Sequence, residues 1–359
     1  MSKNRYYSVF ILAAVVILIQ LLTSIFNVKY YLTQLTMSAY YSIVVIGLCM
    51  LMGYAGQLSL GQAGFFAIGG YTTAVLTTSN LAAYKSFPII HLLNKIGILI
   101  LSKNSYDEEI LYFSPWLAFI LSIIITVIIA VLIGIPVLKL KGHYLAMATL
   151  GFGTIIYKIV LGSRIFGEAD GITDIPGFTL LPGITISGSF SARVLNYYIV
   201  CFFVILGVVV LINLINSRSG RALRALHSSE SAANAMGIDT FRYKLNIFVL
   251  GAVFASVAGA LMTHYNNGIG PSEASIAKSV RYVAIVAAGG MANIWGTLIT
   301  GLILNFLSLR GVFGSYDDAV FGIILITIMV FDPNGLARST FFTNFSPILK
   351  PLIKKIKRV

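Results

Sequence analysis

The stretch Gly53-Tyr54-Ala55-Gly56-Gln57-Leu58-Ser59-Leu60-Gly61-Gln62-Ala63-Gly64-Phe65-Phe66-Ala67-Ile68-Gly69-Gly70 lies inside an uncharged block that runs from Tyr30 to Tyr84, 55 residues in all. A membrane-crossing helix needs about 20 mostly apolar residues. The block holds two crossings, with the glycine-rich stretch as an irregular break between them. Backbone that leaves the helix at membrane depth is tolerated only where it is packed in protein or lines a cavity. Two readings of the break stand. In one it lines a solute path, along which Gln57, Ser59, Gln62, Gly61 and Gly64 are the candidate residues. In the other, Gly61, Gly64, Ala67 and Gly70 are small residues that let helices approach closely.

The rest of the chain supports a membrane body. Of 359 residues, 58% are hydrophobic and 10% charged, against about 25% charged in a soluble domain. So few charges cannot cover a water-exposed surface. The net charge of +13 reads as membrane topology and contact with anionic lipid. Nucleic-acid binding needs a concentrated basic face, and the longest basic run is a short C-terminal tail. Cys49 and Cys201 both sit in apolar stretches and read as buried thiols rather than a disulfide. No Cys/His cluster has metal-ligand spacing, and no cofactor is expected.

Charge-free runs place further crossings at Val9–Phe26, Leu35–Met52, Gly61–Thr78, Pro115–Leu138, His143–Val160, Tyr197–Asn216 and Leu245–Thr263. Val9–Phe26 reads as a retained first span, because no small-residue cleavage site follows it. Ile96–Leu101 is too short to span and reads as interfacial. Lys3 and Arg5, Lys139 and Lys141, Arg218 to Lys244, and the tail from Lys350 to Arg358 then belong on the cytoplasmic side, with both termini there. Parity requires the block Tyr282–Leu309, interrupted by Gly289, Gly290, Gly296 and Gly301, to enter and leave again before the short run Ala319–Phe331. The expectation is an all-α polytopic membrane protein with 8–10 transmembrane helices and interrupted or re-entrant segments. It forms a single transmembrane domain over residues 1–359, with a cytoplasmic loop at 217–244 and a basic tail at 338–359. Interrupted segments in both halves, Gly53–Gly70 and Gly289–Gly301, suggest an inverted repeat around a transport site.

Two loops are candidates for contact with partners. In Ser217–Lys244, Arg218, Arg221 and Arg224 recur every three residues, and Glu230–Gly237 reads as a short helix ending at Gly237. Such a helix could dock in another protein's groove, or the loop could simply hold anionic lipid. Arg164–Phe178, on the outer side, carries Glu168, Asp170 and Asp174 and reads as a polar loop or an external contact. Catalytic patterns are absent. There is no phosphate-cradling G-x-x-x-x-G-K-[ST] loop, and the four histidines are scattered. Lys158 reads as the one charge near membrane depth, reaching for the interface. No series of buried carboxylates suggests ion coupling, so energy is expected from a partner chain.

Several motifs together resemble the LivM-type permeases of branched-chain amino-acid ABC importers, the LivH/LivM permease family. They are Gly53–Leu76, Leu140–Gly153, the loop Gly171-Ile172-Thr173-Asp174-Ile175-Pro176-Gly177, Ser217–Leu245, Gly289–Gly296 and Phe331–Ala337. They occur in the family's order and cover about Gly47 to Ala337. Two positions depart from the pattern: Gln62, where the family often has His, and Gly289–Asn293, where it often has a glycine-rich turn. The resemblance implies a non-enzymatic permease subunit that passes leucine, isoleucine or valine across the cytoplasmic membrane. Permeases for urea, short amides and other small solutes are similar, and an ion-coupled secondary transporter is the alternative of another class. It implies a second, LivH-like permease, two cytoplasmic ATPase subunits and an extracytoplasmic solute-binding protein as partners. It places ATPase coupling on Arg221, Arg224, Glu230, Ala232, Ala233 and Gly237.

Overall fold

A computed structural model describes residues 6–80, 99–103, 109–140 and 142–331. The sequence expectations at Lys3, Arg5, Lys141, the start of Ile96–Leu101, the motif beyond Phe331 and the basic tail lie outside the described residues.

The described residues form twelve α-helices. These are α1 (Tyr7–Ile25), α2 (Tyr31–Ala55), α3 (Gln62–Thr78), α4 (Pro115–Val137), α5 (His143–Gly162), α6 (Arg193–Asn216), α7 (Arg218–Ser228), α8 (Glu230–Ala235), α9 (Thr240–Asn266), α10 (Ile276–Gly289), α11 (Ile294–Leu309) and α12 (Asp317–Phe331). Six of them, α1, α2, α4, α5, α6 and α9, are long and apolar enough to cross a membrane. Three small antiparallel pairs complete the fold: β1 (Leu99–Lys103) with β2 (Glu109–Phe113), β3 (Ile172–Thr173) with β6 (Gly268–Ile269), and β4 (Phe178–Leu181) with β5 (Ile184–Ile186).

Contacts fix the helix directions. A Cβ on Gly56, at the end of α2, would lie 2.9 Å from His227 on α7. One face of the bundle therefore carries α7, α8 and the end of α2. The opposite face carries β3 to β6. The Tyr6 hydroxyl donates to Asn213 near the end of α6, at 2.6 Å, so α1 starts at the α7 face. Gly134 of α4 packs on Leu245 of α9, which brings the Lys139 connection to the same face. The start of α1, the Lys139 connection and α7–α8 thus share one face of the bundle.

Helix α2 is the hub, and its residues from Tyr40 to Gly53 are buried. Helix α1 sits at the edge against α6, where the Tyr197 hydroxyl donates to the Val16 carbonyl. Its Phe10, Leu18, Leu21 and Ile25 are exposed on the outside of the bundle.

The block expected to enter and leave does so. Helix α10 runs toward the α7 face, turns at Gly290 (φ +93°) and returns as α11. The turn lies against α2: a Cβ at Gly53 would come 1.4 Å from the Met291 carbonyl oxygen. Helix α12 then runs toward the α7 face, with Asp317 at its start bonded to Arg281 of α10 and Ile328 packed near Ala287 and Ala288.

One expectation needs correction. The second-half counterpart of the Gly53–Gly70 break is not the Gly289–Gly301 turn. It is the segment 267–275. Helix α2 ends at Gly56 in the left-handed conformation (φ +65°), and α9 ends at Asn267 in the same conformation (φ +52°). After each, non-α backbone leads to a shorter helix, α3 or α10. The two units run in opposite directions, because α2 heads toward the α7 face and α9 away from it. This is the geometry of an inverted repeat.

Candidate functional site

The first break positions the candidate residues. After Gly56, the backbone N–H groups of Gly56 and Gln57 both bond back to the Leu51 carbonyl, closing α2. Residues 57–61 then run without regular structure into the bundle. The Leu60 N–H is satisfied by Thr149 of α5 at 2.9 Å. Helix α3 begins with no side-chain cap on Gly61. Its start is deep in the bundle, since Gln62 faces Gly251, almost three turns beyond Phe241 of α9, and Ala63 meets Ser279 of α10.

Gln57, Ser59 and Gln62 are 2%, 1% and 0% exposed. Both amide atoms of each glutamine and the Ser59 hydroxyl lack a hydrogen-bond partner. Leaving a buried donor or acceptor unpaired costs about 1–3 kcal/mol. Five such atoms within six residues are an unusual concentration, because native structures pair most of their buried polar groups. Gly61 and Gly64 do something else. A Cβ on Gly61 would lie 3.0 Å from the Thr149 carbonyl, and one on Gly64 would lie 3.3 Å from Gly153 Cα. They bring α3 against α5, as the packing reading proposes, and so help close the space around the glutamines.

Helices α3 and α9 form an interlocked pair. A Cβ on Gly259 would sit 2.1 Å from the Phe66 carbonyl, and one on Gly69 2.3 Å from the Ser256 carbonyl. Ser256 is held in turn by Thr126 of α4 at 2.9 Å.

At the α7 face, Arg218, Arg221 and Arg224 are exposed. Arg224 donates to the Ile215 carbonyl. Ser229 caps α8, and Gly237 follows it with φ +79°, the left-handed cap expected there. The candidates on α8 do not share one surface. Ala232 is exposed, whereas Ala233 is buried against the bundle. Glu230 pairs with Lys244 of α9 at 2.6 Å and anchors the short helix. Met236 is 83% exposed.

The sequence reading missed a set of charges inside the bundle. Lys278 pairs with Glu273 at 3.1 Å, and Arg281 pairs with Asp317 at 2.6 Å and Asp318 at 2.8 Å. Lys158, by contrast, is exposed on α5. A charge-free criterion started the block at Tyr282, whereas α10 begins at Ile276 and carries Lys278 and Arg281. The i, i+3 spacing of these two cations beside an apolar run was the available signal. Both inner carboxylates have a cation partner, so they form closed pairs rather than a relay of free acids. On α9, His264 Nδ1 donates to the Pro176 carbonyl at 2.8 Å, while Nε2 is buried without a partner. No group of three His, Cys, Asp or Glu residues with metal-site geometry occurs among the described residues.

Residues 30–329 match the family described as branched-chain amino acid transport system permease components. Similar proteins include the high-affinity branched-chain amino acid transport system permease LivM of Salmonella typhimurium, 29% identical over 326 residues, covering 85% of this chain and 69% of that protein. BraD of Pseudomonas aeruginosa is 28% identical, covering 86% of this chain and 96% of that protein. LivH of Escherichia coli K12 is 26% identical, covering 86% and 95% respectively. No solved structure matches the chain.

Proposed function

The chain belongs to the family of branched-chain amino-acid transport permeases, and from that premise we propose that it is the membrane-spanning subunit of an ATP-binding-cassette importer. It passes leucine, isoleucine and valine across the cytoplasmic membrane, with both termini and the α7–α8 face in the cytoplasm. It works beside a second, LivH-like permease, two ATPase subunits and an external solute-binding protein. The observation that carries this reading is the run of unpartnered buried groups on Gln57, Ser59 and Gln62 where α2 breaks and α3 begins. These groups receive the polar atoms of the solute or its water when the bundle opens around them. The uncapped start of α3 favours the carboxylate end of an amino acid, because a helix N-terminus carries a partial positive charge.

Coupling follows from the packing. The ATPase pair engages α7 and α8 through Arg221, Arg224 and the residues around Gly237. The Glu230–Lys244 pair links α8 to α9, and the interlocked glycines link α9 to α3. Displacement of α8 is thereby carried to the break. A partner shifts such a cycle only through different affinity for its states, so the ATPases must hold α8 differently before and after hydrolysis.

The test is reconstitution of the importer in liposomes, with uptake of leucine, isoleucine, valine and urea measured beside ATPase activity. Leucine uptake that needs ATP and the binding protein is expected, and Gly237→Arg abolishes the stimulation of ATPase activity by the binding protein. Wild-type stimulation and uptake in that variant would remove the coupling role. Preferential uptake of urea would replace the solute.

A further inference from the structure

We propose that Glu273, Lys278 and Tyr41 form a site for a zwitterion, where Glu273 takes the ammonium and Lys278 the carboxylate of an α-amino acid on its way through the bundle. The inference rests on the transport reading above and assigns the residues that grip the two charged groups of the solute.

The geometry is compact. Lys278 Nζ lies 3.1 Å from Glu273 Oε1 and 2.7 Å from the Tyr41 hydroxyl oxygen. It also stands 4.2 Å from the centroid of the Tyr41 ring. The Tyr41 hydroxyl donates to Glu273 at 3.0 Å. The Lys278 and Glu273 side chains keep 19% and 17% of their exposure, so neither is sealed off from its surroundings. The Tyr282 ring lies 6.2 Å from that of Tyr41, centroid to centroid, and Tyr71 and Tyr282 are both within electrostatic reach of the same carboxylate. Their hydroxyls are buried and have no partner. Ser279, next in sequence to Lys278, holds the first turn of α3 beside Gln62. The site therefore lies close to the start of α3, where Gln62 stands.

A structural ion pair is the competing explanation. Charges within membrane helices are costly and mark substrate or ion pathways. A buried pair adds little stability over apolar packing. It also gives no reason for two further buried hydroxyls to remain unpaired beside it. A zwitterion does. When an amino acid inserts, the Lys278–Glu273 contact is exchanged for one contact to each end of the ligand. Tyr71 and Tyr282 donate to its carboxylate or to the second oxygen of Glu273. No net charge enters or leaves the site, so no accompanying ion is needed.

The test uses the complete importer in liposomes with its binding protein. The double variant Glu273→Gln with Lys278→Gln leaves no unpaired buried charge. It is expected to co-purify with its partners and keep stimulated ATPase activity within about twofold, while leucine uptake per complex falls roughly tenfold or more. The charge-swapped variant Glu273→Lys with Lys278→Glu keeps a pair but inverts its direction, and its uptake is expected to stay low. Tyr282→Phe removes only an unpartnered hydroxyl, so it leaves folding intact and is expected to lower uptake by about threefold. Uptake close to wild type in the neutral pair or in Tyr282→Phe overturns the proposal, as does recovery in the charge swap. If the wild-type complex takes up no leucine, the transport reading itself fails. If it does and the variants match it, only the zwitterion site fails.

Discussion

The backbone N–H of Ala63 in α3 donates to the side-chain oxygen of Ser279 in α10, across 3.3 Å. This contact joins the first turns of two helices that start inside the bundle and run in opposite directions. Each follows a longer helix that stops at a left-handed residue, Gly56 or Asn267. Ser279→Ala removes the bond and leaves a buried N–H unpaired, a loss of about 1–3 kcal/mol. A lower melting temperature of the detergent-solubilised complex checks this, and an unchanged one would mean that the two starts are held by packing alone.

Gln62→Leu tests whether the unpaired amide serves function rather than folding. The substitution removes two unsatisfied buried polar atoms and keeps a side chain of similar reach. Stability is expected to stay level or rise, since burying an apolar group in place of an unpaired polar one is favourable. ATP-driven leucine uptake is expected to fall. Parallel melting and uptake measurements separate the two effects.

Gly53→Ala addresses the α10–α11 turn. The added methyl would lie 1.4 Å from the Met291 carbonyl oxygen, so the turn must move away from α2. Overpacking of this kind costs about 1–3 kcal/mol. The loss also reaches the Met291 carbonyl contact with Cys49 Sγ, at 3.4 Å. Faster labelling of Cys49 by a thiol reagent in the variant, with Cys201 replaced by Ser, is the expected readout.

Arg281→Gln leaves Asp317 without its cation. Arg281 also donates to Ser308 at 3.0 Å and stacks on Phe321, so it fastens α10 to α11 and α12. Breaking one side of a buried pair costs about 3–5 kcal/mol, less here because Asp317 keeps 23% exposure. Adding Asp317→Asn should restore much of the lost stability. A double-mutant cycle on thermal melting measures the coupling.

The sequence reveals the long helices because a charge-free run and a membrane-length helix are nearly the same object. Val9–Phe26 became Tyr7–Ile25, and Pro115–Leu138 became Pro115–Val137. Lys278 and Arg281 broke that equivalence. Glu273, five residues before Lys278, was a local partner that a charge-free criterion passes over, whereas Asp317 is brought to Arg281 by folding and no local pattern shows it. The break after α2 was visible in its glycines and amides. Its true counterpart at 267–275 was hidden, since Asn267 provides by backbone conformation what Gly56 provides by composition. The orientation of α8 was equally hidden. Ala232 and Ala233 read alike as small residues, and only the Glu230–Lys244 anchor decides that Ala233 turns inward.

If the break at residues 57–62 becomes the solute path, its exposure to water must change through the transport cycle. Ser59→Cys, placed where the native hydroxyl is buried and unpartnered, tests it most directly in the assembled importer with Cys49 and Cys201 replaced by Ser. Labelling by a small water-soluble thiol reagent is followed in the nucleotide-free, ATP-bound and ADP-bound states, with and without leucine-loaded binding protein. Labelling is expected to be strong in one nucleotide state, weak in another and reduced by transported leucine. A cysteine that stays unlabelled in every state of a complex still importing leucine would contradict it.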